Sequence, residues 1–151
     1  MGWKSVLLVF RVIVGMLFLV AGFSKLLLPT EEFSQILRSY QIIPEIFIGT
    51  LSIVAPGIEL LTGSFLVLGL FTRLISLMIA LQLLAFIALM SIVIASGIEI
   101  GDCGCFSGLG FHETPIQVLI RDGILLIMVL PVLFSQKHKY ALDGLFEREK
   151  G

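Results

Sequence analysis

Residues 74–98 read LISLMIALQLLAFIALMSIVIASGI, a run of 25 residues without a charge between Arg73 and Glu99. The hydrocarbon core of a bilayer is about 30 Å thick, and about 20 apolar residues of helix cross it. This run is therefore a transmembrane helix with length to spare for tilt. Ala88, Ser91 and Ala95 recur along it as a small-residue face suited to close helix packing. Gln82 is its only amide side chain.

Three more apolar stretches flank it, so the chain reads as a single all-α domain over residues 1–151, a four-helix transmembrane bundle. Of its 151 residues, 58% are hydrophobic and only 14% charged, a balance foreign to soluble domains of this size. The net charge of −1 gives no electrostatic reason to expect a nucleic-acid partner; the expected surroundings are membrane lipid. The first span is expected over about 5–28. Its apolar run exceeds the core of a signal peptide and has no small-x-small cleavage site after it, so it reads as a retained span. Gly15 and Gly22, seven residues apart, share a face where another helix can come close. Arg11 and Lys25 sit within the run, and both are expected to snorkel toward the interfaces.

Pro29 ends this span. Thr30 reads as an N-cap, with Glu31 and Glu32 in the first turn, where the helix dipole favours acids. Phe33, Ile36, Leu37 and Tyr40 then form one apolar stripe, with Ser34, Gln35, Arg38 and Ser39 facing away. The segment 30–40 is an amphipathic helix between spans 1 and 2 that lies at the membrane interface, lids the bundle or simply packs on the core. The second span covers about 45–71, with Pro56-Gly57 as an expected kink. Glu59 follows that kink. An acid inside a span calls for a partner or a task, and Arg11 or Gln82 can approach it. The cluster is either a structural polar contact or a site for a proton or a quinone.

The third span, about 74–98, leads to Gly101-Asp102-Cys103-Gly104-Cys105-Phe106-Ser107-Gly108, which holds both cysteines. Two cysteines one residue apart form a disulfide only if the backbone bends sharply, and Gly104 between them permits it. Such a ring is strained, and strain favours a bond that opens and closes over one that only staples. Asp102, Glu99 and Glu113 disfavour a thiolate here; the start of the next helix favours one; His112 can accept a proton. Other readings are a weak structural disulfide, a soft-metal site of Cys103, Cys105, His112 and Asp102, and two idle small hydrophobes. Thr114-Pro115-Ile116-Gln117 supplies an N-cap, a proline at N1 and a glutamine at N3, and starts the fourth span, about 115–134. Arg121 and Asp122 lie in its first two turns, with Asp122 expected to meet Lys25. The tail after Phe134 reads as a polar surface segment.

Basic residues orient the bundle. With the N-terminus inside, Lys4, Arg11, Arg73, Lys137, Lys139, Arg148 and Lys150 face in, while Lys25, Arg38 and Arg121 face out. Seven against three predicts an N-in, C-in topology. The cysteine loop then lies on the extracytoplasmic, oxidising side.

Arg11, Gly15, Phe18, Gly22, Lys25 and Pro29 in the first span, Pro56-Gly57-Ile58-Glu59 with Gly63 and Gly69 in the second, and Cys103-Gly104-Cys105-Phe106 before the fourth form a familiar set. With these, nearly the whole chain resembles the DoxX-like family of small four-helix membrane proteins, and within it the MauE-type branch. The resemblance implies a protein of the bacterial inner membrane that works with a thioredoxin-like partner on the extracytoplasmic side. It also implies proximity to quinone chemistry, with Glu59, Gln82 and Arg11 as the polar cluster that would serve it. Four-helix quinone-linked disulfide-forming proteins use two cysteine pairs; this chain has one, so Cys103 and Cys105 would serve both partner and quinone.

Overall fold

A computed structural model of the chain describes residues 3–135. The basic residues expected at 137–150, and the polar tail that carries them, lie outside the described residues, as does the side chain of Lys4. The described residues are helical apart from short connections and one long loop, 96–114: α1 (Trp3–Leu27), α2 (Thr30–Ser39), α3 (Glu45–Leu68), α4 (Thr72–Ala95) and α5 (Pro115–Phe134), with a 3-10 turn at Ser107–Leu109 inside that loop. The four long helices are each long and apolar enough to cross a membrane. They close a ring in which α1 packs on α3, α3 on α4, α4 on α5 and α5 on α1. Large apolar side chains such as Phe23, Leu81, Ile120 and Ile127 point outward, as a bilayer solvent allows.

The tightest seam is between α1 and α3. A Cβ on Gly22 would lie 2.6 Å from the Leu60 nitrogen, and one on Gly63 would lie 2.6 Å from the Leu19 nitrogen. Only glycine lets the two backbones come this near, and in lipid, where apolar surface gives no hydrophobic drive between helices, such contact is what holds them. The small-residue face read on the third span behaves differently: Ala88, Ser91 and Ala95 are all exposed, so that face is not used within the chain.

Several boundaries shift. The second span stops at Leu68, where Gly69 takes a left-handed φ of 73° and its N–H closes on the Phe65 and Leu66 carbonyls. The third runs from Thr72 to Ala95 and the first ends at Leu27. Pro56 leaves α3 continuous. Thr30 is the first residue of α2, and Pro29 occupies the N-cap position. Ser34, expected to face away, is buried beside Phe33 and Leu37. The capping box at Thr114 and Gln117 forms as its sequence predicts.

Two apolar cores are stacked along the bundle. One gathers Val14, Phe18, Leu66, Ile79, Leu83 and Val129. The other gathers Phe33, Leu37, Tyr40, Ile48, Met90, Val93, Val118 and both cysteines. Lys25 of α1, Glu59 of α3 and Asp122 of α5 fall between them and are 3–4% exposed. Lys25 lies two residues from the end of α1, whereas Glu59 lies 14 residues into α3. Because these two side chains meet, the first turns of α3 overhang the end of α1. The short helix α2 packs against that overhang.

Candidate functional site

The polar layer is built around two ion pairs. The Lys25 ammonium donates to both carboxylate oxygens of Glu59, at 2.6 and 2.5 Å, and sits 5.4 Å from the centre of the Phe86 ring. The partner of Glu59 is therefore Lys25, not Arg11, which lies 14 residues back along α1, about 21 Å at 1.5 Å per residue. The amide of Gln82 approaches the layer from α4, 3.5 Å from the Thr62 hydroxyl, one turn beyond Glu59. Asp122, expected to pair with Lys25, is instead held by Arg121, whose Nε and Nη2 approach Oδ1 at 3.0 and 2.9 Å. Arg121 also donates through Nη1 to Glu113. Its guanidinium stacks 5.1 Å from the centre of the Phe106 ring. The reason for the swap is reach: Arg121 and Asp122 are neighbours at the start of α5, and the short aspartate takes the nearest planar cation.

The cysteine loop settles on this layer from above. Gly104 has a φ of 76°, which a residue with a Cβ adopts only under strain. That turn aims the flanking cysteines apart in environment. Cys105 borders a cavity of about 30 Å³ together with Lys25, Glu59, Phe86, Arg121 and Asp122. Arg121 lies within hydrogen-bonding reach of its sulfur. Cys103 sits higher, with its sulfur 3.8 Å from that of Met90, its N–H donating to the Glu113 carbonyl and its own carbonyl accepting from Tyr40. Both are free thiols, 1% and 3% exposed.

Asp102 organises the loop. It accepts hydrogen bonds from the Ser107 hydroxyl and the Gly104 and Glu113 amides, and it contacts His112 Nδ1 at 2.9 Å. Partial burial pushes its carboxyl up, but those donors outweigh burial and hold it below the ordinary value. His112 thus turns outward to Asp102 and does not face the thiols. The metal arrangement of Cys103, Cys105, His112 and Asp102 does not assemble, and among the described residues no group of three or more such side chains could hold an ion.

α2 is the lid. Phe33 and Ile36 press on Gly104 from outside, so that an added Cβ would lie 2.9 Å from Ile36. Tyr40, 1% exposed, donates its hydroxyl to the Cys103 carbonyl at 2.5 Å. Burial pushes the Tyr40 hydroxyl well above its usual value, with the nearby sulfurs adding to it. Tyr40 was legible in the sequence as part of an apolar stripe; its hydrogen bond to the loop was not, because it joins residues 63 positions apart. Glu113 was read only as an acid disfavouring a thiolate, and Ser107 and Phe86 were given no role, since each looks like ordinary loop or span sequence.

Burial pushes both thiols up. For Cys103 the neighbouring sulfur and the Asp102 and Glu113 carboxylates add to burial and outweigh Arg121, so the value reaches about 12. For Cys105 burial is opposed first by Lys25 and then by Arg121, and the net remains upward. A thiol that loses its proton at about 12 is about one part in ten thousand thiolate at pH 8. Alkylation of Cys103 in the closed protein is therefore expected to be slow. Its rate should keep rising about tenfold per pH unit past pH 9, where an ordinary cysteine levels off. Iodoacetamide labelling of a Cys105→Ser variant across pH 7–10.5 measures this.

Comparison with known proteins agrees with this architecture. Residues 3–135 match the family described as Methylamine utilisation protein MauE. The chain is also 32% identical over 133 residues to Protein TlpB of Flavobacterium psychrophilum, a match that covers 82% of this chain and 35% of that protein. The chain thus spans about a third of the length of that relative. No solved structure matches it. With a family match across nearly all the described residues, on four helices of membrane-crossing length, this chain belongs to the MauE family and is a multi-pass membrane protein.

Proposed function

We propose that this chain exchanges thiols and disulfides with a thioredoxin-like protein at the extracytoplasmic face of the bacterial inner membrane, with Cys103 and Cys105 as the reacting pair. The observation that carries this reading is the setting of the pair. Two thiols flank a glycine at φ 76°, and two cations, the buried Lys25 and the partly buried Arg121, stand beside one of them. Cations beside a sulfur stabilise the thiolate, the form that attacks disulfides and leaves from them. In the exchange the two thiols of this chain give two electrons and two protons to a partner disulfide, and the reverse reaction balances in the same way.

The half of the bundle that holds the loop suits a positively charged partner surface. It carries Glu31, Glu32, Glu45, Glu59, Glu99, Asp102, Glu113 and Asp122 against Lys25, Arg38 and Arg121, eight negative charges to three positive, a net of −5. The reduced protein should therefore react several-fold faster with cystamine, a cationic disulfide, than with the anionic dithiodiglycolate. Raising salt should erase the difference. Stopped-flow or quenched alkylation assays give both rates.

Reconstitution tests the reading directly. In liposomes equilibrated against glutathione buffers of graded ratio, Cys103 and Cys105 should pass reversibly between dithiol and disulfide. A pair that stays in one state across the whole range would end the proposal. A second reading is favoured by the burial of both sulfurs: a non-catalytic subunit that assembles a partner enzyme, its cysteines forming a permanent clasp. Replacing both by serine separates the two. Exchange predicts loss of the partner pathway to background; the scaffold predicts full activity.

Membership of the wider DoxX-like group belongs to the same proposal, and a link to quinone does not. The cavity beside Cys105 holds about 30 Å³, room for a water or two and not for a quinone ring. The residues beside Cys105, as packed, leave no room for that group.

A further inference from the structure

The exchange reading leaves open which sulfur meets the partner. Resting on that reading, we infer that Cys103 is the sulfur that bonds to the partner and Cys105 the internal sulfur that resolves the bond, with Arg121 as the group that holds Cys105 ready.

The two cysteines are covered by different things. Cys103 lies beneath α2, with Tyr40 bonded to its carbonyl. α2 is a helix of 10 residues, tethered by short connections on either side and packed mainly on the overhang of α3. It can swing aside without breaking the ring of spans. Cys105 is walled by Lys25, Glu59, Phe86, Arg121 and Asp122, all on spanning helices, and by Phe106. Opening those would mean separating α1 from α3 and α5. A partner sulfur that approaches past a displaced α2 therefore reaches Cys103 first.

The charges divide the same way. Cys103 is surrounded by carboxylates, Asp102 and Glu113, and by the thioether of Met90. Cys105 has the cations. A guanidinium has five N–H donors in a fixed fork. Arg121 uses three toward Asp122 and Glu113, which anchor it, and the others remain for the sulfur. Asp122 and Glu113 thus act as positioning residues, and the Phe106 ring stacked on the fork completes the seat.

The steps balance. With α2 displaced, Cys103 gives up its proton and as thiolate attacks one sulfur of the partner disulfide; that S–S bond breaks, a mixed disulfide forms on Cys103, and the displaced partner thiolate takes up the proton that Cys103 lost. Cys105, as thiolate beside Arg121, attacks the Cys103 sulfur. The mixed disulfide breaks, the Cys103–Cys105 bond forms, and the second partner sulfur leaves and is protonated by the proton Cys105 gave up. Run backward, a partner thiolate attacks at Cys103 and Cys105 leaves as the thiolate that Arg121 stabilises.

The test uses the full-length protein in liposomes, glutathione disulfide as the probe, and intact-mass detection of the adduct. Cys105→Ser should accumulate a stable glutathione adduct on Cys103. Cys103→Ser should form its adduct at least tenfold more slowly. Arg121→Gln, with both cysteines present, should let the Cys103 adduct build up and should move the pH profile of its resolution to higher pH; Arg121→Lys should restore part of the rate. Equal adduct rates on the two single-cysteine variants would overturn the assignment, and so would a resolution step whose pH profile ignores Arg121. The cysteine comparison stands by itself should Arg121→Gln misfold. The failure of exchange itself looks different: the unmodified protein would then form neither an adduct nor an internal disulfide with this probe.

Discussion

Replacing Lys25 by methionine is expected to destabilise the bundle by about 3–5 kcal/mol, the cost of leaving one member of a buried ion pair without the other. Lys25 and Glu59 have side chains only 2% and 5% exposed, and the lysine donates to both oxygens of the acid. With the lysine gone, Glu59 must take a proton or pull water into the seam between α1 and α3, where Gly22 and Gly63 hold the backbones together. Thermal unfolding in detergent, followed by circular dichroism, reads the loss. The double variant Lys25→Met, Glu59→Leu should recover most of it, because two apolar side chains replace the pair without a stranded charge. It should not recover thiol exchange, since Cys105 loses one of its two cations. A single variant as stable as the parent would mean that the pair does not hold the layer.

Replacing Gly104 by alanine is expected to open the lid. Two costs add at this position. The backbone sits at φ 76°, where a side chain is strained by about 1–3 kcal/mol. The new methyl would also come within 2.9 Å of Ile36 and 3.3 Å of Phe33. Both contacts belong to α2, so the loop and the lid cannot both keep their places. Since 1.4 kcal/mol is a factor of ten, Cys103 should be alkylated about 10- to 100-fold faster. The spans are untouched, so helix content and unfolding temperature should change little. Maleimide labelling before and after denaturation measures the protection. Unchanged protection would show that α2 is not what covers Cys103.

The two variants test different layers of the molecule, and those layers differ in how legible they are. Local chemistry was written in the chain. Uncharged length made the spans, because a bilayer leaves a backbone no other partner than itself. Thr114 and Gln117 made the start of α5, because a capping box needs only residues three apart. Gly15, Gly22 and the apolar stripe of α2 were visible by spacing. The presence of Cys103 and Cys105 in a glycine-rich loop was visible at once.

The pairing of charges was not. Sequence offered Glu59 two neighbours, Arg11 and Gln82, and Asp122 one, Lys25, and the choice depended on how far α3 overhangs α1. That offset is set by the packing of Gly22 and Gly63 against facing backbone, a contact between residues more than 30 positions apart. The same offset gave α2 a wall to rest on and so decided that the loop would be covered. Sequence by itself determined a bundle of spans with a thiol pair at one end. That one sulfur lies under α2 and the other beside Lys25 and Arg121 came from the packing, because the depth of a side chain is a property of how helices slide against each other and not of any one of them.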